Sequence, residues 1–201
     1  MLIEYQQQTG TAPATFVQRT MTGYDRYWEA EQILRVLEER KIDWAKTCVV
    51  DFGSGVGDYG YAMGRQGTEL VTFIDKSLEM IDFCQYRMEY EDPKFPAQFF
   101  HTSMPWRDHL GAIDVAIFGE VLEHTEDPLG LLQEFEARGA GYIFTSSYPY
   151  RRDEATDDYW KKHGHADDAR LAQPACRELL ETKYKKIANF GGQMNLWKHR
   201  V

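Results

Sequence analysis

Residues 49–60 read VVDFGSGVGDYG, with four glycines and two aspartates at the exit of a short apolar run. Glycines at this density serve a backbone that needs φ > 0 or that must let a ligand approach closely. Two frames overlap here. Gly53-x-Gly55-x-Gly57 places the first glycine directly after the apolar run, where a strand would turn. Gly55-x-Gly57-x-x-Gly60 spells the dinucleotide fingerprint, and Asp75 follows Gly55 by 20 residues, where that fingerprint wants its acid. Which frame operates decides what the turn holds.

Working outward, the run before the glycines reads as a buried strand and DYGYAMGRQ as a helix opening at the turn. Upstream, apolar residues from Tyr24 to about Arg40 follow helical spacing. Downstream, ELVTFID is a strand, Ser77 caps a helix running to about Tyr90, and AQFFH and AIDVAIFG are strands. PLGLLQEFEARG is a helix, AGYIFTSS a fifth strand, and Pro174 to Glu181 part of a further helix. YKKIANF and QMNLWKH close the chain as two strands, a hairpin about Gly191-Gly192. Strands alternating with helices predict an α/β fold: a mostly parallel, seven-stranded sheet with helices on both faces. Residues 1–22 are polar and aperiodic, an N-terminal arm or lid, and 23–201 make one domain.

In a doubly wound sheet the ligand sits beyond the carboxyl ends of the strands, beside the first one. The glycine that makes the tight turn there is Gly53, and from Gly53 the dinucleotide frame fails because Asp58 stands at its third glycine. From Gly55 the frame fits formally, but the turn then starts late and after an acid, Asp51. A pyrophosphate wants bare amides, and a carboxylate nearby repels it. Asp51 suits a ligand carrying a positive group.

With these residues in place, VVDFGSGVGDYG resembles the opening motif of the class I, Rossmann-like S-adenosylmethionine (SAM)-dependent methyltransferases, an acid followed by G-x-G-x-G. VTFIDKSLEMIDFC is similar to their second motif, and AIDVAIFGEVLEHTEDP to their fourth-strand segment with its E-H and acid-proline pair. The three occur in the family's order and cover Val49 to Pro128. The resemblance implies SAM as cofactor, held by Asp51, Gly53, Ser54, Gly55 and Gly57, with Asp75 on the ribose hydroxyls and Lys76 and Met80 flanking the adenine. It places Gly119 and Glu120, after the fourth strand, at the cofactor too. The family usually has an acid after its third strand, facing the adenine amino group. Here the chain reads FFHTSMPW, and His101, Thr102 or Ser103, or a backbone carbonyl, takes that place.

Methyl transfer asks the protein to align a nucleophile and exclude water, with a base only where the nucleophile keeps its proton. His124, after the fourth strand, is the candidate base, since an imidazole titrates near neutral pH. The long stretch after the fifth strand mixes aromatics, charges and histidines, as functional connections do. It supplies Tyr148, Tyr150, Tyr159, Trp160, His163 and His165 as candidate substrate contacts, and Tyr24, Tyr27 and Trp28 join them from the N-terminal side. His163-x-His165 with Asp157, Asp158 and His124 is too weak a pattern to assign a metal. SYPY resembles the N/D-P-P-Y motif of amino-methylating nucleic-acid enzymes, but it follows the fifth strand rather than the fourth.

The whole-chain figures narrow the partners. A formal net charge of −9 disfavours a broad grip on nucleic acid and favours a small-molecule substrate. From Lys183 to Val201 every formal charge is positive, which suits either a lysine-guarded sheet edge or an acidic ligand. No apolar run approaches the roughly 18–20 residues that span a bilayer. Three scattered cysteines make neither a disulfide framework nor a zinc knuckle, and with no signal peptide in view the expected location is the cytoplasm. The aromatics could serve a substrate or a second copy in a homodimer. Two other functions stay open: a SAM-binding sensor without catalysis, and an NAD-dependent oxidoreductase on the Gly55 frame.

Overall fold

The computed structural model describes residues 26–91, 95–146, 148–149, 167–191 and 194–200. It divides into two compact units, Met1–Leu110 and Gly111–Val201, and the described residues carry seven strands, mostly parallel, as the alternation predicted.

The first unit contains α1 (Tyr27–Glu39), a single 3-10 turn (Trp44–Lys46), β1 (Cys48–Phe52), α2 (Asp58–Gly64), β2 (Leu70–Asp75), α3 (Leu78–Glu91), β3 (Ala97–His101) and the short α4 (Trp106–His109). Its strands lie in the order β3-β2-β1, all parallel. Four consecutive residues of β1, Val49 to Phe52, are buried, the continuous pattern of a strand covered on both faces. The register sets Asp51 beside Phe73 and Asp75 beside His101, so the ends of the three strands share one rim. In α1, Ala30, Ile33, Leu34 and Leu37 are buried at helical spacing, while Trp28 stays 53% exposed. Ser77 begins α3 as expected, its hydroxyl accepting the Met80 amide at 3.4 Å.

The second unit contains β4 (Val115–Gly119), a 3-10 turn (Leu122–His124), α5 (Pro128–Ala137), β5 (Tyr142–Ser146), α6 (Asp167–Lys183), β6 (Tyr184–Asn189) and β7 (Asn195–His199). Its order is β4-β5-β7-β6, with β4 and β5 parallel and the two closing strands an antiparallel hairpin. The acid-proline pair has a local reason: Asp127 caps α5, taking the Gly130 amide on Oδ1 at 2.8 Å, and Pro128 occupies the first turn, where a missing amide costs nothing.

The helix expected to hold Pro174 to Glu181 spans Asp167–Lys183, with the proline inside it. One local expectation is corrected. The strand expected from Ala112 begins at Val115. The turns at Trp106–His109 and Leu122–His124 were not anticipated, because three or four residues are too few to show a period.

The basic closing segment runs from the last residue of α6 through β6 and β7 to Arg200, with β6 outermost in this unit. Lys183 pairs with Glu136 at 3.4 Å, Lys186 lies over the Trp197 ring, Lys198 over the Tyr142 ring, and Arg200 Nε donates to Tyr184 O. Intramolecular partners of this kind fit the guarded-edge reading. Among the described residues no helix is long and apolar enough to cross a membrane.

Candidate functional site

Gly53, Gly55 and Gly57 have φ of +69°, +55° and +79°, whereas Gly60 lies inside α2. The first frame is therefore the one the backbone uses. Gly60 has another duty, since a Cβ there would sit 2.4 Å from the Phe73 ring, so it permits α2 to press against β2. The loop's amides are turned inward. Gly53 N and Ser54 N both donate to Ile74 O, at 2.7 and 3.1 Å, and Gly57 N to Ser54 O at 2.8 Å. Gly55 N donates to Asp75 Oδ2 and Gly60 N to Asp51 Oδ2, each at 2.8 Å.

The two predicted acids thus organise the loop. Asp51, 1% exposed, braces the first turns of α2. Asp75 holds Gly55 with one oxygen and the Ser77 amide with the other, at 2.8 Å each, joining the turns after β1 and β2. From α3, Cys84 Sγ donates to Gly55 O at 3.3 Å, and Arg87 Nη1 donates to Val56 O at 3.0 Å and to Asp58 Oδ1 at 2.8 Å. The Arg87 guanidinium also lies 4.4 Å from the Tyr61 ring centroid.

Sequence reasoning missed Cys84 and Arg87. Their signal was the helical spacing Met80, Cys84, Arg87, which carries a charged residue into a buried stripe. Met80 itself packs with Val56, Phe83 and Tyr86, while Lys76 is exposed.

The charges around the loop are unbalanced. Glu29, Asp51, Asp58 and Asp75 are buried with Arg26 and Arg87, so among the described residues buried here acids outnumber cations by two. Arg87 is engaged by Asp58 and Arg26 pairs with Glu29, leaving Asp51 and Asp75 on backbone amides. Burial pushes the Asp51 carboxyl up to about 7. Its neighbours Asp58 and Asp75 act in the same direction, and the Gly60 amide and Arg26 oppose them.

At the end of β3, His101 Nε2 donates to Lys76 O at 2.7 Å, which fixes the proton on Nε2 and leaves Nδ1 to accept from Ser103 Oγ at 2.6 Å. Thr102 N donates to Asp75 O at 2.9 Å. His101, Thr102 and Ser103 therefore lie on the rim beside Asp75, with both His101 ring nitrogens already engaged.

In the second unit Gly119 ends β4 and Glu120 follows with φ +55°, a left-handed conformation uncommon outside glycine. His124 is half-buried at the end of the turn Leu122–His124, its amide donating to Val121 O at 2.9 Å. Tyr148 is 0% exposed; its hydroxyl donates to Ala169 O at 2.8 Å and lies 3.4 Å from Cys176 Sγ, so its ring is seated against α6.

Tyr24, Tyr150, Asp157, Asp158, Tyr159, Trp160, His163 and His165, with the arm 1–22, lie outside the described residues, and Tyr27 is described only as helix. Among the described residues no three His, Cys, Asp or Glu side chains cluster as a metal site.

Residues 15–177 match a family model described as a methyltransferase domain. No curated protein matches the chain. Among solved structures, it resembles magnesium protoporphyrin IX methyltransferase (ChlM) from Synechocystis PCC 6803 with bound SAH: 16% identity, 92% of this chain and 94% of that one, TM-score 0.58. The N-terminal domain of EvdMO1 with SAH bound is similar at 14% identity, over 88% of this chain and 82% of that one, TM-score 0.58. Monomeric WbdD is 22% identical over 83% of this chain, TM-score 0.56, and the chain spans only 41% of its length. These neighbours share the fold.

Proposed function

The chain belongs to the methyltransferase-domain family, and from that premise we propose that it binds SAM and transfers the methyl group to an O, N or C atom of a small molecule. One observation carries the cofactor reading. The amides of Gly53, Ser54, Gly55, Gly57 and Gly60 are all spent on acceptors within the chain, so a pyrophosphate finds none of these donors, while among the described residues the buried acids around the loop outnumber the buried cations. A cationic, phosphate-free ligand fits both facts. The same observation counts against the NAD frame.

When bound, SAM supplies a methyl group activated on a sulfonium. The remaining tasks belong to the chain. Asp75, ordered by two amides, offers its remaining lone pairs to the ribose hydroxyls, Lys76 and Met80 flank the adenine, and the loop from Gly53 to Gly57 borders the methionine end. His124 takes the acceptor's proton on its imidazole. A small-molecule acceptor is supported by the acidic balance of the chain and by the name of one neighbour, a porphyrin methyltransferase.

Titration calorimetry with SAM and SAH is the direct test: binding of both is expected, and no heat from either at millimolar concentration overturns the reading. Methyl release from labelled SAM against metabolite pools then separates an enzyme from a SAM-binding sensor.

A further inference from the structure

A buried polar cluster joins the start of α1 to the first turn of α2. Arg26 Nη1 donates to the Tyr59 hydroxyl at 3.0 Å, and Tyr59 donates onward to Glu29 Oε2. Arg26 Nη1 and Glu29 Oε2 stand 3.6 Å apart, and the guanidinium lies 5.8 Å from the Tyr59 ring centroid. Burial raises the phenol well above its ordinary range, so Tyr59 keeps its proton and remains a donor.

Stability alone is a poor reason for such a cluster. Desolvating two opposite charges is costly enough that apolar replacements often match or exceed the pair. Moreover, α1 already buries Ala30, Ile33, Leu34 and Leu37. The cluster also carries a guanidinium that, although paired with Glu29, still acts on Asp51 as the weakest of the influences on that carboxyl. The groups acting on Asp51 are the Gly60 amide and Asp58 from α2, Asp75 from β2, the Cys84 thiol from α3, and Arg26 at the head of α1. Among these Arg26 is the cation. Asp51 in turn holds the amide of Gly60, one residue beyond Tyr59. Arg26 therefore reaches the first turn of α2 by two routes, one mechanical and one electrostatic.

We propose that Arg26 is a positioning residue for the cofactor site: through Tyr59 it fixes the first turn of α2, and through its charge it keeps the Asp51 carboxylate on the Gly60 amide, so that the glycine loop meets SAM in a single conformation. This rests on the SAM reading above. An ionised acceptor makes the stronger bond to Gly60 and the better complement to a cationic ligand. SAM affinity should then rise with pH as Asp51 ionises, with a midpoint that depends on Arg26.

The test measures the SAM dissociation constant by calorimetry from pH 5.5 to 8.5, with thermal midpoints in parallel, for the unaltered chain, Arg26→Lys, Arg26→Gln and Tyr59→Phe. Arg26→Gln should weaken binding and move the pH midpoint up, because an opposing charge has gone. Arg26→Lys should restore the midpoint. Tyr59→Phe should weaken binding about fivefold, the worth of one hydrogen bond, without moving the midpoint. If Arg26→Gln lowers only the thermal midpoint, Arg26 is a structural brace and the inference fails. Should that variant not fold, unchanged affinity in Tyr59→Phe or a shifted midpoint in Arg26→Lys overturns it equally. If the unaltered chain binds neither SAM nor SAH, the cofactor reading falls and takes this inference with it.

Discussion

Asp75 and Gly55 stand 20 residues apart and are joined by a 2.8 Å hydrogen bond from the glycine amide to the carboxylate. That is the spacing at which a dinucleotide site would seek its ribose acid. In this chain the acid at that distance is already fastened to the glycine loop, and its second oxygen is fastened to Ser77. The glycine turn and the end of β2 thus form one rigid piece.

Removing Asp75 should therefore cost structure and binding together. Asp75→Ala strands the Gly55 and Ser77 amides, a loss of about 2–4 kcal/mol. Calorimetry should find no SAM binding, and the thermal midpoint should fall. Full binding by Asp75→Ala would remove this residue from the site.

Gly60→Ala should destabilise without any ligand present. Its Cβ would meet the Phe73 ring at 2.4 Å, and Phe73 is held in a stack with Phe99, centroids 5.2 Å apart. Overpacking of this kind costs about 1–3 kcal/mol. Thermal melts should show the loss, and adding Phe73→Leu should recover part of it.

Asp51 sets a pH signature on stability. Its folded-state value of about 7 lies above the ordinary 3.8, so the folded state holds a proton that the unfolded chain gives up. The stability linked to that proton is complete below about pH 4, drains away as pH rises toward 7, and amounts to about 4 kcal/mol at most. Asp51→Asn has no such proton. Urea denaturation should find it close to the unaltered chain at pH 4 and increasingly the more stable of the two up to pH 8. A difference that ignores pH would contradict the assignment.

His124 separates binding from chemistry. His124→Ala should keep the SAM affinity of the unaltered chain and lower turnover about 100-fold or more at neutral pH, the usual worth of a general base. Single-turnover methyl transfer, once an acceptor is in hand, measures it. Normal turnover would show that His124 is not the base.

The glycine frame was legible because positive φ at Gly53, Gly55 and Gly57 demands one residue type, and the acids because they end predicted strands. What escaped is of two kinds. Arg26, just before α1, and the helix residues Glu29 and Arg87 are charged, which by default reads as solvated, and only tertiary contact shows them buried. Tyr148 is the other kind: an aromatic just past β5 reads as a rim residue, and only the fold shows its hydroxyl meeting Ala169 O on α6.

The thiol of Cys84, 2% exposed and donating to Gly55 O, is a reporter already wired to the cofactor loop. Burial holds it well above its ordinary titration range, so it reacts only when the loop lifts and water enters. Its rate of alkylation is then a clock for loop opening, one that SAM should slow and that needs no acceptor and no turnover to read.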